Sequence, residues 1–231
     1  RLQLLQILER RAIELGVKIE HNVVIDSIES YRDADLIIAG NGITSFVRDM
    51  YSEEFGSELV FRPNKFVWLG ATKKFKAFTF YFNENKHGLW RAHCYQYMPG
   101  NSTFIVECTD ETFSKTGLEN GTEEDTVAYL SKVYEKELGD DHLITNNSLW
   151  RNFPRVKNTK YYHDNIVLMG DALHTAHFSI GSGTKLAMED AVALIDSINH
   201  HDSDLSKALP DFQKKREPAV DSIQRAAQVS M

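Results

Sequence analysis

The sequence predicts an α/β protein, α+β taken as a whole, in which an α/β unit is interrupted by an inserted antiparallel sheet. Two short apolar runs, residues 35–40 and 165–170, each end in glycine and suit strands of a buried parallel sheet. Between them, over residues 65–108, β-branched and aromatic residues alternate with period two, as antiparallel strands require. Helix-spaced apolar residues occupy both ends of the chain.

Taken in order, Leu2, Leu5, Leu8, Ala12 and Leu15 fall on one helix face, and Gly16 follows where a helix stops at least cost. Val17-Lys18-Ile19 and Val23-Val24-Ile25 read as strands, and residues 35–40 as a strand buried on both faces. The character changes near Phe61. Phe66-Val67-Trp68-Leu69, residues 77–82, residues 89–97 and Thr103-Phe104-Ile105-Val106 read as further strands, with Phe78, Phe80 and Phe82 on one face and Ala77, Thr79 and Tyr81 on the other. Asn83-Glu84-Asn85-Lys86 and Pro99-Gly100-Asn101 supply turns. Trp68, Phe78 and Phe80 are expected in the core, with Cys94 and Cys108 as small core fillers. Thr122 is the expected N-cap of a helix closed by Gly139, with Glu123, Glu124 and Asp125 at its positive end. A long helix is expected over residues 183–199, and a last one from Leu205 that Pro218 kinks or divides. Residues 1–60 and 151–231 are thus assigned to the α/β part and residues 61–150 to the inserted sheet.

Composition narrows the function. The chain has 231 residues, 42% hydrophobic and 26% charged, an ordinary globular profile. Lys and Arg number 26 against 33 Asp and Glu, and the net charge of −7 argues against nucleic acid or a membrane surface as partner. No apolar run approaches the roughly 20 residues of a membrane span. Two cysteines make neither a disulfide framework nor a zinc site, and no metal is expected. These features point to a soluble, cytoplasmic protein.

The chemistry concentrates in Gly170-Asp171-Ala172-Leu173-His174 and the following His177-Phe178-Ser179-Ile180-Gly181-Ser182-Gly183-Thr184. A strand ends in Gly-Asp, a loop with two glycines follows, and a helix opens. Such a helix start presents unpaired N–H groups to an anion or an electron-rich ring, and Asp171 can accept ligand hydroxyls. A plain glycine-rich turn accounts for the same residues equally well.

The segment resembles the second FAD-binding box of the flavin-dependent aromatic hydroxylases, the para-hydroxybenzoate hydroxylase family, with Gly170, Asp171, Ala172, His174, Gly181, Gly183, Ala187 and Asp190 in place. The resemblance implies that Gly170 and Asp171 hold the ribityl and pyrophosphate region of FAD, and that Gly181, Gly183, Thr184 and Lys185 face the isoalloxazine through backbone N–H groups. His177 and Phe178 stand where prolines are usual, which makes them the catalytic candidates beside the flavin. Residues 35–48 resemble the family's middle motif, with Asn41 in place of the usual Asp before Gly42, and Ser45 and Arg48 following. That motif is associated with both FAD and NADH or NADPH.

Within the family, Phe66-Val67-Trp68-Leu69-Gly70, residues 102–107, Trp150-Arg151-Asn152-Phe153 and Gln224-Arg225-Ala226-Ala227-Gln228 are similar to salicylyl-CoA 5-hydroxylases and 2-aminobenzoyl-CoA monooxygenases. The implied substrates are an aromatic ring or an aryl-CoA thioester together with dioxygen, and the implied reaction is hydroxylation through a flavin hydroperoxide. Arg1 heads the helix whose counterpart contacts flavin, and is a cofactor candidate. Arg91 and His93 share a strand face and are substrate candidates, although that face could equally look into water. His174 is expected as a structural histidine. The family's Gly-x-Gly-x-x-Gly turn is absent from the sequence, so the chain reads as an internal fragment, inactive alone, whose missing N-terminal segment is itself a partner. A flavin reductase of the same fold and a flavin-free interaction module remain as alternatives.

Overall fold

The computed structural model describes residues 2–229, so Arg1, the first cofactor candidate, lies outside the described residues. The chain divides into two compact units, residues 1–35 and 36–231.

In the first unit, helix α1 (Leu2–Glu14) carries the expected apolar stripe, none of it buried. Gly16 ends it at φ +84°, and the Val17 N–H bonds back to the Ala12 carbonyl at 3.0 Å. The two expected strands after it do not form. Val17, Ile19, Val23, Val24 and Ile25 lie in irregular, exposed backbone. A β-branched run becomes a strand only where a neighbour completes its ladder, and no described residue pairs with these.

The second unit opens with β1 (Ile37–Ala39), followed by short helices α2 (Phe46–Met50) and α3 (Ser52–Phe55). Ser45 caps α2 by accepting from the Arg48 N–H. The long β2 (Ser57–Ala71) then leads into β3 (Thr79–Asn85), β4 (Gly88–Met98) and β5 (Asn101–Cys108). Helices α4 (Asp110–Ser114), α5 (Glu123–Val133) and α6 (Glu135–Leu138) follow, then β6 (Leu143–Ile144), β7 (Arg151–Asn158), β8 (Tyr162–His163) and β9 (Ile166–Leu168). Helices α7 (Gly183–His200) and α8 (Leu205–Val229) close the chain.

The parallel strand pair is β1 and β9, with Ala39 opposite Leu168 and β8 on the far side of β9. All three β9 residues are buried, as expected of a central strand. β1 is not buried on both faces, because it stands at the sheet edge and leaves Ile38 half-exposed. The second sheet runs β3-β4-β5-β2-β6, with β7 also paired to β2. Strand β2 runs unbroken through residues 60 and 61, where the sequence suggested a boundary, and its register with β7 shifts between Phe61 and Lys65.

One face of the large sheet is covered by helices. Val67, Leu69, Trp90, Cys94, Phe104, Val106 and Cys108 pack there against Leu130, Tyr134 and Leu138. Burial pushes both cysteine thiols up to about 12, which keeps them protonated and unreactive, as core fillers should be. Thr122 and Asp125 form a reciprocal capping box at the start of α5. Trp68, Phe78 and Phe80 lie on the opposite, open face rather than in the core, each 42–50% exposed. Alternation separates two faces without saying which one the helices will cover. The β3–β4 turn is only Lys86-His87, because Asn83 and Asn85 stay in the ladder and hydrogen-bond to Val133 and Tyr129 with their side chains. Helix α8 runs through both Pro210 and Pro218 without dividing.

Candidate functional site

Because β1 and β9 are parallel neighbours, their C-terminal ends point the same way, and the chain leaves both at one edge of the small sheet. Gly40-Asn41-Gly42 follows β1, and Gly170-Asp171 follows β9, while the Met169 N–H bonds to the Ala39 carbonyl at 3.1 Å. The two sequence motifs, some 130 positions apart, therefore meet. This edge is where open α/β sheets bind ligands.

Gly170 has φ +58°, and a Cβ there would stand 3.3 Å from Cβ of Ala187 on α7. Its N–H donates to Asp190, one turn further along that helix, at 3.1 Å. Asp190 is wholly buried, held by Arg216 Nε of α8 at 2.8 Å with His174 Nε2 at 3.0 Å. Burial opposes its charge, and His174, Arg216 and the Gly170 N–H overcome that, holding the carboxyl below the usual aspartate range. His174 is buried beside Asp190.

Asp171 differs from Asp190 in every respect. It is exposed, and among the described residues its carboxylate has no partner. Asn41 is exposed at the neighbouring strand end, with Gly42 beside it. Gly181 and Gly183 flank Ser182, which precedes the first turn of α7 without a side-chain cap. Ser182 Oγ is buried with no partner, and Thr184 and Lys185 are exposed at the helix start. Lys185 pairs with Glu189.

The loop between box and helix is strapped to β7. Val156 N–H donates to Thr175 Oγ1 at 2.8 Å, Thr175 N–H to the Val156 carbonyl at 3.2 Å, and Gln224 Nε2 of α8 to the carbonyls of both Val156 and Thr175 at 2.9 Å. That anchoring places His177 and Phe178 on the open face of the large sheet. The Phe178 ring centroid lies 4.9 Å from Phe66, 6.3 Å from Trp68, 5.4 Å from His93 and 5.9 Å from Phe153.

Beneath these rings is a residue that sequence reasoning passed over. Glu107 on β5 is 1% exposed. It accepts from Arg91 Nη2 at 2.5 Å and from Asn64 Nδ2 at 3.0 Å, with His93 Nε2 at 3.4 Å and His177 Nε2 at 3.7 Å. Burial alone would raise its pKa, yet His93, Asn64 and Arg91 bring it down to about 2. Burial pushes the His177 imidazole down to about 4, so it is neutral at pH 7. Its Nδ1 accepts from the Ser179 N–H, which leaves Nε2–H directed at Glu107. Arg91 and His93 thus do share a face, turned toward a common carboxylate.

Residues 10–226 match the family described as FAD binding domain. A salicyloyl-CoA 5-hydroxylase from a Streptomyces species is 34% identical over 99% of this chain and 46% of its own length. A 3-hydroxy-4-methyl-anthranilyl-[aryl-carrier protein] 5-monooxygenase from Streptosporangium sibiricum is 35% identical over 98% of this chain and 60% of its own. The chain spans about half the length of the curated relatives it matches. A structure of 2-methyl-3-hydroxypyridine-5-carboxylic acid oxygenase superposes with a TM-score of 0.71 at 18% identity, over 95% of this chain and 62% of that one. A probable FAD-dependent monooxygenase from Pseudomonas aeruginosa does so at 0.62 and 20% identity, over 84% and 54%. Among the described residues, no helix is long and apolar enough to cross a membrane.

Proposed function

The chain belongs to the FAD binding domain family, and from that premise we propose that it is part of a flavin-dependent monooxygenase that hydroxylates an aromatic acyl thioester, with NADH or NADPH as reductant. The observation that carries the reading is the meeting of Asn41-Gly42 and Gly170-Asp171 at one sheet edge, next to an aromatic sheet face.

The residues present fit a flavin dinucleotide. Added Cβ atoms at Gly40, Gly42, Gly181 and Gly183 would meet nothing within 4 Å, so backbone N–H groups at both strand ends and at the start of α7 are open to close approach. The unpartnered Ser182 Oγ and the exposed Asp171 add polar groups that a ribityl chain and pyrophosphate can use. When bound, the flavin supplies hydride acceptance and activation of dioxygen. The chain's own residues do the rest. Asp171, Gly170, Asn41 and Gly42 hold the cofactor from the strand ends, and Gly181, Gly183, Thr184 and Lys185 from the helix start. Phe66, Trp68, Phe80 and Phe178 grip a flat ring and keep water from it. His177 fixes Phe178 against the sheet.

In this reading residues 61–150 supply the substrate side and the flanking stretches the cofactor side. The two relatives' names share one chemistry, an aryl group carried as an acyl thioester, and that supports the same class here. A cytoplasmic location belongs to the same proposal.

The test uses the full-length protein, scored for bound flavin and for oxygen-18 transfer from labelled dioxygen into salicyloyl-CoA. A yellow protein that oxidises NADH or NADPH and labels the product is expected. Flavin reduction without label would favour a reductase, and a protein that retains no flavin would favour a binding module.

A further inference from the structure

We propose that β3 is an assembly edge, at which two copies of this chain pair antiparallel about a two-fold axis through Phe80 and join their large sheets into one. Every residue involved lies in the second compact unit, and the pairing holds whatever the reaction.

β3 ends the large sheet and pairs with β4 alone among the described residues, so one row of its backbone N–H and C=O groups faces away from the sheet. Edge strands are normally kept from pairing by proline, a bulge, extreme shortness or an inward-pointing charge. β3 has seven residues, no proline and no register shift against β4, and its single charge, Glu84, alternates onto the open face. Phe80 and Phe82 share that face, with Phe78 just before the strand, and the three are 42, 61 and 50% exposed. Soluble monomers rarely leave so continuous an apolar row in water. Phe78 stacks on Tyr95 at 5.3 Å and Phe80 on Phe82 at 6.3 Å between centroids, so the rings are ordered before a partner arrives.

The sequence of β3 complements itself in one register. Period-two alternation keeps like faces together, so the axis of an antiparallel self-pairing passes through a residue. With Phe80 on the axis, Phe80 meets Phe80, Phe78 meets Phe82, and Lys76, in the bend before the strand, meets Glu84. By symmetry each of the last two contacts occurs twice. Lys76 and Glu84 are both exposed, and neither forms an ion pair among the described residues. Moving the axis to Tyr81 sets Phe78 against Glu84 and Lys76 against Lys86, and moving it to Thr79 sets Phe82 against Lys76. Both neighbouring registers therefore oppose a ring to a charge. Aromatic pairs and opposite charges directly across a ladder are the contacts that stabilise it.

Such a pairing uses the same edge of both copies, so it closes at two and does not propagate into a filament. It also reaches the aromatic face. Phe80 meets the His93 ring edge-on at 4.7 Å between centroids, so the partner subunit's Phe80 comes to the rim of that face.

The test measures association and not turnover. Sedimentation velocity of the full-length protein over a concentration series gives the dissociation constant of the dimer. Glu84→Lys and Lys76→Glu each set like charges together at both ends of the pairing, and each should weaken the dimer about tenfold. The double reversal restores opposite charges and should return the constant to within about threefold of the wild type. Cross-linking with diamide reads the register. Phe80→Cys meets its own copy with Cβ atoms about 5 Å apart, within a small shift of disulfide distance, and should give a covalent dimer. Phe82→Cys alone should not, whereas an equal mixture of Phe78→Cys and Phe82→Cys should. The native Cys94 and Cys108 are buried, and every side chain replaced is exposed, so the fold is not at stake. A monomeric wild type, a dimer indifferent to the single reversals, a double reversal no better than the singles, or cross-linking through position 82 alone and not 80 would overturn the proposal.

Discussion

Asp190 Oδ2 lies 3.1 Å from the Gly170 amide nitrogen while Asp190 Oδ1 lies 2.8 Å from Arg216 Nε, so one buried carboxylate fastens the end of β9 to both long helices. The cofactor candidates after Gly170 depend on that fastening. Asp190→Asn leaves the buried Arg216 with only the partly exposed Glu189, 3.3 Å from Nη1, as counter-charge and should cost about 3 kcal/mol of stability. Denaturant unfolding measures it, and a loss under about 1 kcal/mol would show that the carboxylate is not what holds the strand end.

Gly170 meets the same helix through its missing side chain. Gly170→Ala imposes a left-handed backbone on alanine and brings its Cβ 3.3 Å from that of Ala187. The expected loss is about 1–3 kcal/mol. Adding Ala187→Gly removes the contact but not the backbone strain, so the pair should recover only part of the stability in a thermal unfolding series. Full recovery would assign the whole cost to crowding.

These local features were legible in the sequence because each lies within a few residues of its cause. The Gly-Asp box, the Thr122 cap and the ends of α7 follow from neighbours along the chain. The Glu107 hub was not legible, because register assembles it. Counting outward from the Pro99-Gly100 turn puts Arg91 opposite Cys108, whereas a shift between Gln96 and Met98 puts it opposite Glu107. The available signal was a lone carboxylate on a strand whose other residues are apolar or weakly polar. The strands expected over residues 17–25 failed for the complementary reason, since propensity says nothing about whether a ladder partner exists.

His177 makes stability depend on pH. Its folded pKa of about 4 lies below the ordinary 6.5, so the unfolded chain binds the extra proton first. Stability is then fully present above pH 6.5 and falls as the pH drops toward 4. The carboxylates with lowered pKa values act mainly below about pH 5, so the His177 contribution is sought between 6.5 and 5. Unfolding free energies measured at half-unit steps should decline across that interval, and His177→Gln should flatten the decline. An equal slope in the variant would place the buried proton elsewhere.

Asp171 carries no fold-holding contact among the described residues, so its loss should be felt by the ligand alone. Asp171→Ala should leave the unfolding midpoint unchanged and weaken FAD about ten- to a hundredfold, the value of a hydrogen bond to a charged group. Flavin fluorescence during titration of the apoprotein reads it directly. Unchanged FAD affinity in a well-folded variant would take Asp171 out of the site.

Arg91 and Glu107 face each other across two strands, both drawn out of water, and such pairs are worth less than the damage done by breaking them. Arg91→Leu strands the Glu107 carboxylate among Phe178, Phe66 and His93 and should cost about 3–5 kcal/mol. Glu107→Leu should cost a similar amount, because it removes the carboxylate that Arg91 Nη2 and His93 Nε2 share. The double replacement removes both charges together and should be less destabilising than the two singles added, by about 1–3 kcal/mol. A double-mutant cycle in urea gives that coupling. A coupling near zero would mean that the 2.5 Å contact is incidental and that Glu107 is held by Asn64 and the histidines alone.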